Sequence, residues 1–333
     1  MPHFIRSGSL TSFPETAREA GLDPGRLMRE FGLPRGCLDE PDLMVPIEPV
    51  ALLLEAAAQR SGVEAFGLRM AEVRKVSSLG ALGLFAREQP TLRDAIAALA
   101  HYARLLNEAL TLDVEETGDV AILREDLLVG DIGSIRQSTE LAIGVVMKML
   151  RSFLGPDWRP RRVCFMHDAP ADRSVHTRFL GREVHFGEDF NGVVCTRRDF
   201  GAVNPDADPT MARYARQLLE SRRPRGEGEF TNDIRQLVVV QLGSGQCSVE
   251  RVAHMLRIDR RTIHRRLLRE DQTFSGIVDT VRRELATRYL ADRKRTLAEI
   301  AALLGFAAPS GFSRWYRQQF GKPASVVRAQ PQR

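Results

Sequence analysis

Apolar positions along this chain follow two different spacings, and the place where one gives way to the other divides it. Up to about residue 221, stretches with the helical period of 3.6 alternate with stretches that alternate apolar and polar. Val50 to Arg60, Thr91 to Leu106 and Gln137 to Leu154 carry the helical period, with Pro46 and Pro90 just ahead of the first two. Leu110 to Val114 and Val120 to Arg124 alternate apolar and polar across Thr117, Gly118 and Asp119, which predicts a β-hairpin. Further strands are expected at Arg162 to Met166, Glu183 to Phe186 and Gly192 to Thr196, and a last helix at Pro209 to Leu219. This mixture predicts an α/β domain over residues 1–221. The run from Ser221 to Glu229 is charged, holds Pro224 and two glycines, and has nothing apolar to bury, so residues 222–229 read as a linker. Over residues 230–329 only the helical period remains, and it predicts an all-α domain.

Within that all-α region one pattern occurs twice. In Ser248 to Leu267, Ser248 is placed to cap a short helix, a turn passes through Arg257 and Ile258, and Asp259 is placed to cap a second helix from Arg260. Ile263 and Leu267 form its apolar stripe, while Arg261, His264 and Arg265 project from the other side. In Thr296 to Tyr316, Thr296 and Glu299 have the spacing of a capping box, Gly305 breaks the chain, and a helix near Ala308 turns Phe312, Tyr316 and Phe320 inward and Ser310, Ser313, Arg314 and Arg317 outward. An offset of 49 residues places Ile263 on Phe312, Leu267 on Tyr316, Arg261 on Ser310, His264 on Ser313 and Arg265 on Arg314. These are two helix-turn-helix units. Between them Ser275 to Leu290 reads as one amphipathic linker helix with Ile277, Val281, Leu285 and Tyr289 on its apolar side, about 24 Å long at about 1.5 Å per residue. A stiff spacer of that size can set two reading helices into successive major grooves, which repeat roughly every 34 Å.

Gly305, Phe306, Ser310, Phe312, Arg314, Tyr316, Phe320 and Gly321 stand at the offsets of the second helix-turn-helix of the AraC/XylS family of bacterial transcription regulators, and Ser248 to Leu267 resembles the first. The resemblance implies a DNA-binding module of about the last 100 residues. It departs from the family at Arg257, where the first turn often has Gly, and at Val327, which replaces an aromatic residue. The part ahead of the linker resembles the AraC-type ligand-binding domain through the Phe31 to Pro34 run, Leu79 to Leu84, His185 to Val194, and Asn204 with Pro205. That implies a small effector, with amino acids or fatty acids known in relatives, and favours activation over repression. Arg136, Tyr102, Trp158 and His167 are candidates to line its pocket; buried aromatics and satisfied charges explain them equally well, and the effector residues stay unassigned.

Charge supports the division independently. Glu229 to Arg333 holds 19 Lys plus Arg against 10 Asp plus Glu, a net +9, while the preceding residues hold 29 against 33, a net −4. A basic module beside a mildly acidic one fits phosphate binding by the former alone. Base contacts are assigned to Arg261, His264, Arg265, Pro309, Ser310, Ser313 and Arg314, because Arg can grip guanine with two bonds, Ser and His donate or accept, and Pro offers an apolar edge to a thymine methyl. Arg260, Arg266, Arg269, Arg317 and Lys322 are assigned to phosphates. A single charged helix face ordinarily meets only water; its repetition at one offset is what favours DNA.

Other function classes lose ground on the same sequence. The longest apolar candidate, Leu141 to Leu154, is interrupted by Lys148 and Arg151, and no secretory signal opens the chain, so a cytoplasmic protein is expected. Cys37, Cys164, Cys195 and Cys247 form no close pair, which suggests neither disulfides nor zinc. His167, His176 and His185 recur nine residues apart, too far for the usual zinc spacing, and no phosphate loop, G-x-S-x-G or H-E-x-x-H motif is present. No enzyme, cofactor or metal is expected. The expected partners are double-stranded DNA, an unidentified small effector, RNA polymerase and a second copy of the chain, with no membrane. An alternative keeps the DNA module and lets the first domain only dimerise, as an architectural regulator without an effector, using Glu140 to Leu154 as the apolar helix offered to a second subunit.

Overall fold

The computed structural model describes residues 3–129, 133–222, 229–243, 247–256, 258–291 and 295–329. Its contacts separate into two compact units, Met1–Arg223 and Pro224–Arg333. Residues 223–228 of the expected linker, and Arg257 of the first turn, lie outside the described residues.

The first unit is α/β. Its elements begin with β1 (Phe4–Arg6) and β2 (Met44–Pro46), with two short helices, Phe13–Glu19 and Pro24–Glu30, between them, and continue with helices α1 (Ile47–Ser61), α2 (Phe66–Val73), α3 (Ala81–Arg87) and α4 (Leu92–Tyr102). Then come β3 (Leu110–Thr117), β4 (Val120–Leu127), α5 (Arg136–Leu154), β5 (Arg162–Phe165), α6 (Ser174–Leu180), β6 (Val184–Phe186), β7 (Asn191–Thr196) and α7 (Pro209–Arg222). β1 pairs with β2, and the other five strands form a sheet in the order β3-β4-β7-β5-β6, antiparallel except for the β5–β6 pair. The hairpin runs longer than the alternation foretold, from Leu110 opposite Leu127 to Thr117 opposite Val120, and Gly118 opens its two-residue loop at φ +59°. α4 ends sooner than expected, because Ala103–Leu105 tightens into a 3₁₀ turn.

The core lies between the sheet and α5, with α1 and α2 packed on α5. A side chain at Gly67 would collide with the Gln137 backbone and one at Gly144 with Ala71, so both glycines permit the close crossing of α2 and α5. Leu141, Ile143, Met147, Met149 and Leu150 are all buried in this core. The helix expected to serve a second subunit is therefore spent inside its own unit.

The second unit is all-α: α8 (Glu229–Gly243), α9 (Val249–Met255), α10 (Arg260–Arg269), α11 (Phe274–Ala291), α12 (Leu297–Leu303), α13 (Pro309–Phe320) and α14 (Ala324–Ala329). α9 with α10 and α12 with α13 are the two helix-turn-helix units, and α8 packs against α9, α10, α11 and α12. The spacer α11 buries the expected Ile277, Val281, Leu285 and Tyr289, together with Val278, Ala286 and Leu290. At 18 residues it is about 27 Å long.

Candidate functional site

Three of the four helices in the two helix-turn-helix units begin at a side-chain cap that the sequence supplies. Ser248 accepts the Arg251 N–H at 3.2 Å to start α9, and Asp259 accepts the Thr262 N–H at 2.7 Å to start α10. In the second unit Thr296 and Glu299 close a reciprocal capping box on α12, and Pro309, at the first turn of α13, needs no N–H partner there. Gly305 takes φ +72° at the turn between them, and Gly321 ends α13 at φ +70°.

These starts fix which faces turn outward. Ile263 and Leu267 of α10 are fully buried, and so is Phe312 of α13. Arg261, His264 and Arg265, and Pro309, Ser310, Ser313 and Arg314, are all exposed. Within each helix they share one side, by the helical repeat of three and four residues. The Arg261, Arg265 and Arg314 side chains have no protein hydrogen bond or ion pair among the described residues, so their donors remain available. Ser313 donates its hydroxyl to the Pro309 carbonyl at 2.9 Å, which leaves its oxygen able to accept.

The five residues assigned to phosphates are also exposed. Two of them already have a neighbour: Arg260 forms an ion pair with Glu250 of α9 at 3.1 Å, and Arg266 lies over the Phe230 ring at 5.2 Å. The Arg260 pair is more than half exposed on both sides, and such pairs are worth at most about 1 kcal/mol, so an incoming phosphate can replace Glu250. Leu268 was missed by the sequence reading. It is 71% exposed, three residues beyond Arg265 on the same face, where an apolar residue has nothing to bury against.

Ties to α11 brace the second reading helix. The Trp315 Nε1–H donates to Asp279 at 2.9 Å, and Arg282 donates to the Leu304 carbonyl at 3.0 Å while lying over the Phe306 ring at 4.4 Å. Trp315 is 9% exposed, whereas Phe320, expected inward, is only half-buried and stacks on Tyr316. A second brace, from Arg235 to Glu284, joins α8 to α11, and Glu270 receives the Phe230 and Thr231 N–H groups at the start of α8.

In the first unit a cavity of about 120 Å³ opens between β1, α1, α4, the β3–β4 hairpin and α5. Its wall is mostly aliphatic, including Val50, Leu54, Leu99, Leu112, Leu141 and Val145, with Arg6, Ser9, Arg74, Asn107, Glu125 and Ser138 as the polar members. The four residues named from the sequence stand outside this wall. Arg136 and His167 instead gather with His176 around the buried Glu140 carboxylate, at 2.9, 3.5 and 3.0 Å. Burial holds the His167 imidazole below its usual range. Tyr102 donates its hydroxyl to Glu220, and Trp158 is half-buried, its carbonyl accepting from Arg151. His185 lies apart, near Glu183 and Glu188, and no group of His, Cys, Asp and Glu suited to a metal ion occurs among the described residues. Burial pushes Cys164 and Cys247 up to about 11 and Cys195 up to about 12, away from thiolate chemistry. No described helix is long and apolar enough to cross a membrane.

Comparison with known proteins agrees with this division of labour. Residues 21–202 match a family described as the arabinose-binding domain of AraC transcription regulators, and residues 252–330 match a helix-turn-helix domain family. The chain is 31% identical over 327 residues to the HTH-type transcriptional regulator VirS of Mycobacterium tuberculosis, covering 98% of this chain and 96% of that one. It is 26% identical over 321 residues to the ornithine utilization regulator of Pseudomonas aeruginosa, covering 95% and 91%. The crystal structure of the regulator CdpR from Pseudomonas aeruginosa aligns over 92% of this chain and 96% of its own, with TM-score 0.45 and 19% identity. With one family spanning most of the first unit, the other spanning the helix-turn-helix pair, and a full-length relative above 30% identity, the chain belongs to the AraC family of DNA-binding transcription regulators.

Proposed function

We propose that this regulator reads a specific operator with α10 and α13 in neighbouring major grooves and that a small effector in the first unit controls it, most simply as an activator that contacts RNA polymerase. The observation that carries the reading is the repetition of one exposed polar face at an offset of 49 residues, each backed by a buried stripe. Arg261, His264 and Arg265 on α10 and Pro309, Ser310, Ser313 and Arg314 on α13 read base edges. Arg260, Arg266, Arg269, Arg317 and Lys322 hold phosphates. Homodimerisation uses α7, where Met211, Tyr214 and Leu218 form an exposed apolar row at helical spacing. The first unit works in the cytoplasm and binds a small metabolite; its matched family is described as arabinose-binding, and one relative is named for ornithine utilization.

The direct test selects binding sites from random duplexes with the full chain and repeats the selection with Arg265→Ala. A loss of about 1 to 3 kcal/mol confined to one base position is expected. A uniform loss over all duplexes would move Arg265 to the phosphate group. Effector control requires a ligand that prefers one state of the protein. If a broad metabolite screen never shifts melting while the protein stays a dimer, the first unit is the dimerising scaffold of the alternative reading.

A further inference from the structure

The cavity in the first unit has walls unlike those a sugar needs. A pentose carries hydroxyl groups around most of its ring, and each one buried without a partner opposes binding. Around this cavity the aliphatic side chains of α1, α4, β3 and α5 far outnumber the polar ones. A volume of about 120 Å³ is slightly smaller than an apolar cavity of roughly 150 Å³ that holds benzene, so the occupant has a body of about six carbon atoms.

Its charged wall is lopsided. Arg6 and Arg74 both line the cavity and are 9% and 8% exposed. Arg6 is neutralised at Nε by Asp42 at 2.5 Å and donates again to the Ser78 carbonyl at 2.8 Å. Arg74 spends its bonds on neutral oxygens: the Ser78 hydroxyl at 2.6 Å, the Gly8 carbonyl at 3.0 Å and the Ser9 carbonyl at 3.4 Å. No carboxylate pairs with Arg74 among the described residues, so a buried positive charge stands beside a second arginine in an apolar wall. Burial, together with the nearby Arg6 charge, pulls Arg74 down to about 10. Unpaired buried charge is costly, and an anion in the cavity would offset that cost.

Resting on the reading that this unit binds an effector, we propose that the cavity takes a compact apolar monocarboxylate, its branched or ring-shaped body against the aliphatic wall and its carboxylate at Arg74. The same wall offers a hydroxyl-rich body few partners, and an ammonium beside the carboxylate would meet Arg74 and Arg6. Glu125, on the inward face of β4, also lines the cavity, on the hairpin side.

The test titrates the full chain with 4-methylpentanoate, 4-methylpentan-1-ol, L-leucine and L-arabinose, reading both calorimetric affinity and melting temperature. Expected is that the acid binds and raises the melting temperature, that the alcohol with the same body binds about tenfold more weakly, and that leucine and arabinose shift nothing. Equal binding of acid and alcohol, tighter binding of leucine or arabinose, or no binding of the acid up to its solubility limit would overturn the assignment. Arg74→Met should erase the difference between acid and alcohol while keeping the affinity for the alcohol. Because Arg74 also holds the Gly8 and Ser9 carbonyls, the ligand series on the unaltered chain decides the matter if that variant does not fold. Repeating the titration with a selected duplex present separates the two readings. An acid that binds without changing duplex affinity keeps the cavity assignment and overturns effector control. Duplex affinity that responds to arabinose alone keeps control and overturns the cavity assignment.

Discussion

The two reading helices share a template but differ in what stands behind and in front of it. α10 rests on two aliphatic side chains, Ile263 and Leu267, and presents Arg260, Arg261, His264, Arg265, Arg266 and Arg269. α13 rests on Phe312, Trp315 and Tyr316, is tied to α11 through Trp315 and Asp279, and presents the two hydroxyl groups of Ser310 and Ser313 with two arginines, Arg314 and Arg317. Charge attracts a duplex from a distance but does not distinguish bases, whereas hydrogen-bond selection requires a probe held in a fixed direction. On the proposed reading, this difference gives salt-dependent grip to α10 and the better-aimed reading to α13.

Phe312→Ala provides the harshest test of that contrast. The ring lies 5.8 Å from Phe306 and 5.6 Å from Tyr316, centre to centre, and is fully buried, so its removal should cost about 3 to 5 kcal/mol. Ile263→Val, at the equivalent place in α10, should cost only about 0.5 to 1.5 kcal/mol. Urea unfolding followed by Trp315 fluorescence, in a chain whose Trp158 is replaced by Phe, reads both. Equal losses would mean that the aromatic backing adds no rigidity.

Much of this contrast was legible beforehand because both helices are short-range structures. Caps at Ser248, Asp259 and Thr296 and apolar stripes at three- and four-residue spacing are local, and each stands where the sequence put it. Trp315 was not legible as a buried residue: its burial depends on Asp279, 36 residues earlier on α11, which no local period reveals. In the first unit, sheet order and the cavity depend on pairings across long separations, such as β3–β4 against β7. The effector residues stayed unassigned in the sequence for that reason, and the candidates Arg136, Tyr102, Trp158 and His167 stand outside the cavity wall. One available signal went unread: in β4 the inward positions are Ala121, Leu123, Glu125 and Leu127, so Glu125 places a charge where the alternation calls for an apolar side chain. Such a breach of pattern marks a site more reliably than the presence of a reactive residue type.

Arg314→Ala and Arg269→Ala divide selectivity from grip. Removal of Arg314 should cost about 1 to 3 kcal/mol on the preferred duplex and relax one base position. Loss of Arg269 should weaken all duplexes alike and lower the slope of log affinity against log salt by about one. Binding isotherms across a salt series measure both. The contrast fails if Arg314 alters the slope and Arg269 alters the base preference.

A smaller effect concerns the second capping box. Thr296→Ala removes the oxygen that receives the Glu299 N–H at 3.2 Å and should cost about 1 kcal/mol. Hydrogen exchange at the first turn of α12 should quicken, while that of α9, which starts from Ser248, should not. Faster exchange in both would show that the two units open together.

The mildest probe is acid, because α10 alone of the two reading helices starts from a carboxylate. Asp259 is held below its usual value of 3.8 by the Thr262 hydroxyl and N–H, so the folded state keeps it charged to lower pH than the unfolded state does. A carboxylate with a depressed folded value contributes stability that is complete above the unfolded value and fades as pH falls through the folded one. Protection of the Thr262 amide, taken relative to its intrinsic exchange rate at each pH, should therefore fall as the pH drops below 3.8, while Asp259→Asn, a neutral cap of similar shape, should remove that dependence. α13 starts from Ala308 and Pro309, with no side-chain cap, and should show no matching transition. An acid transition of equal size at the start of α13 would mean that the pH effect belongs to the whole unit and not to this cap.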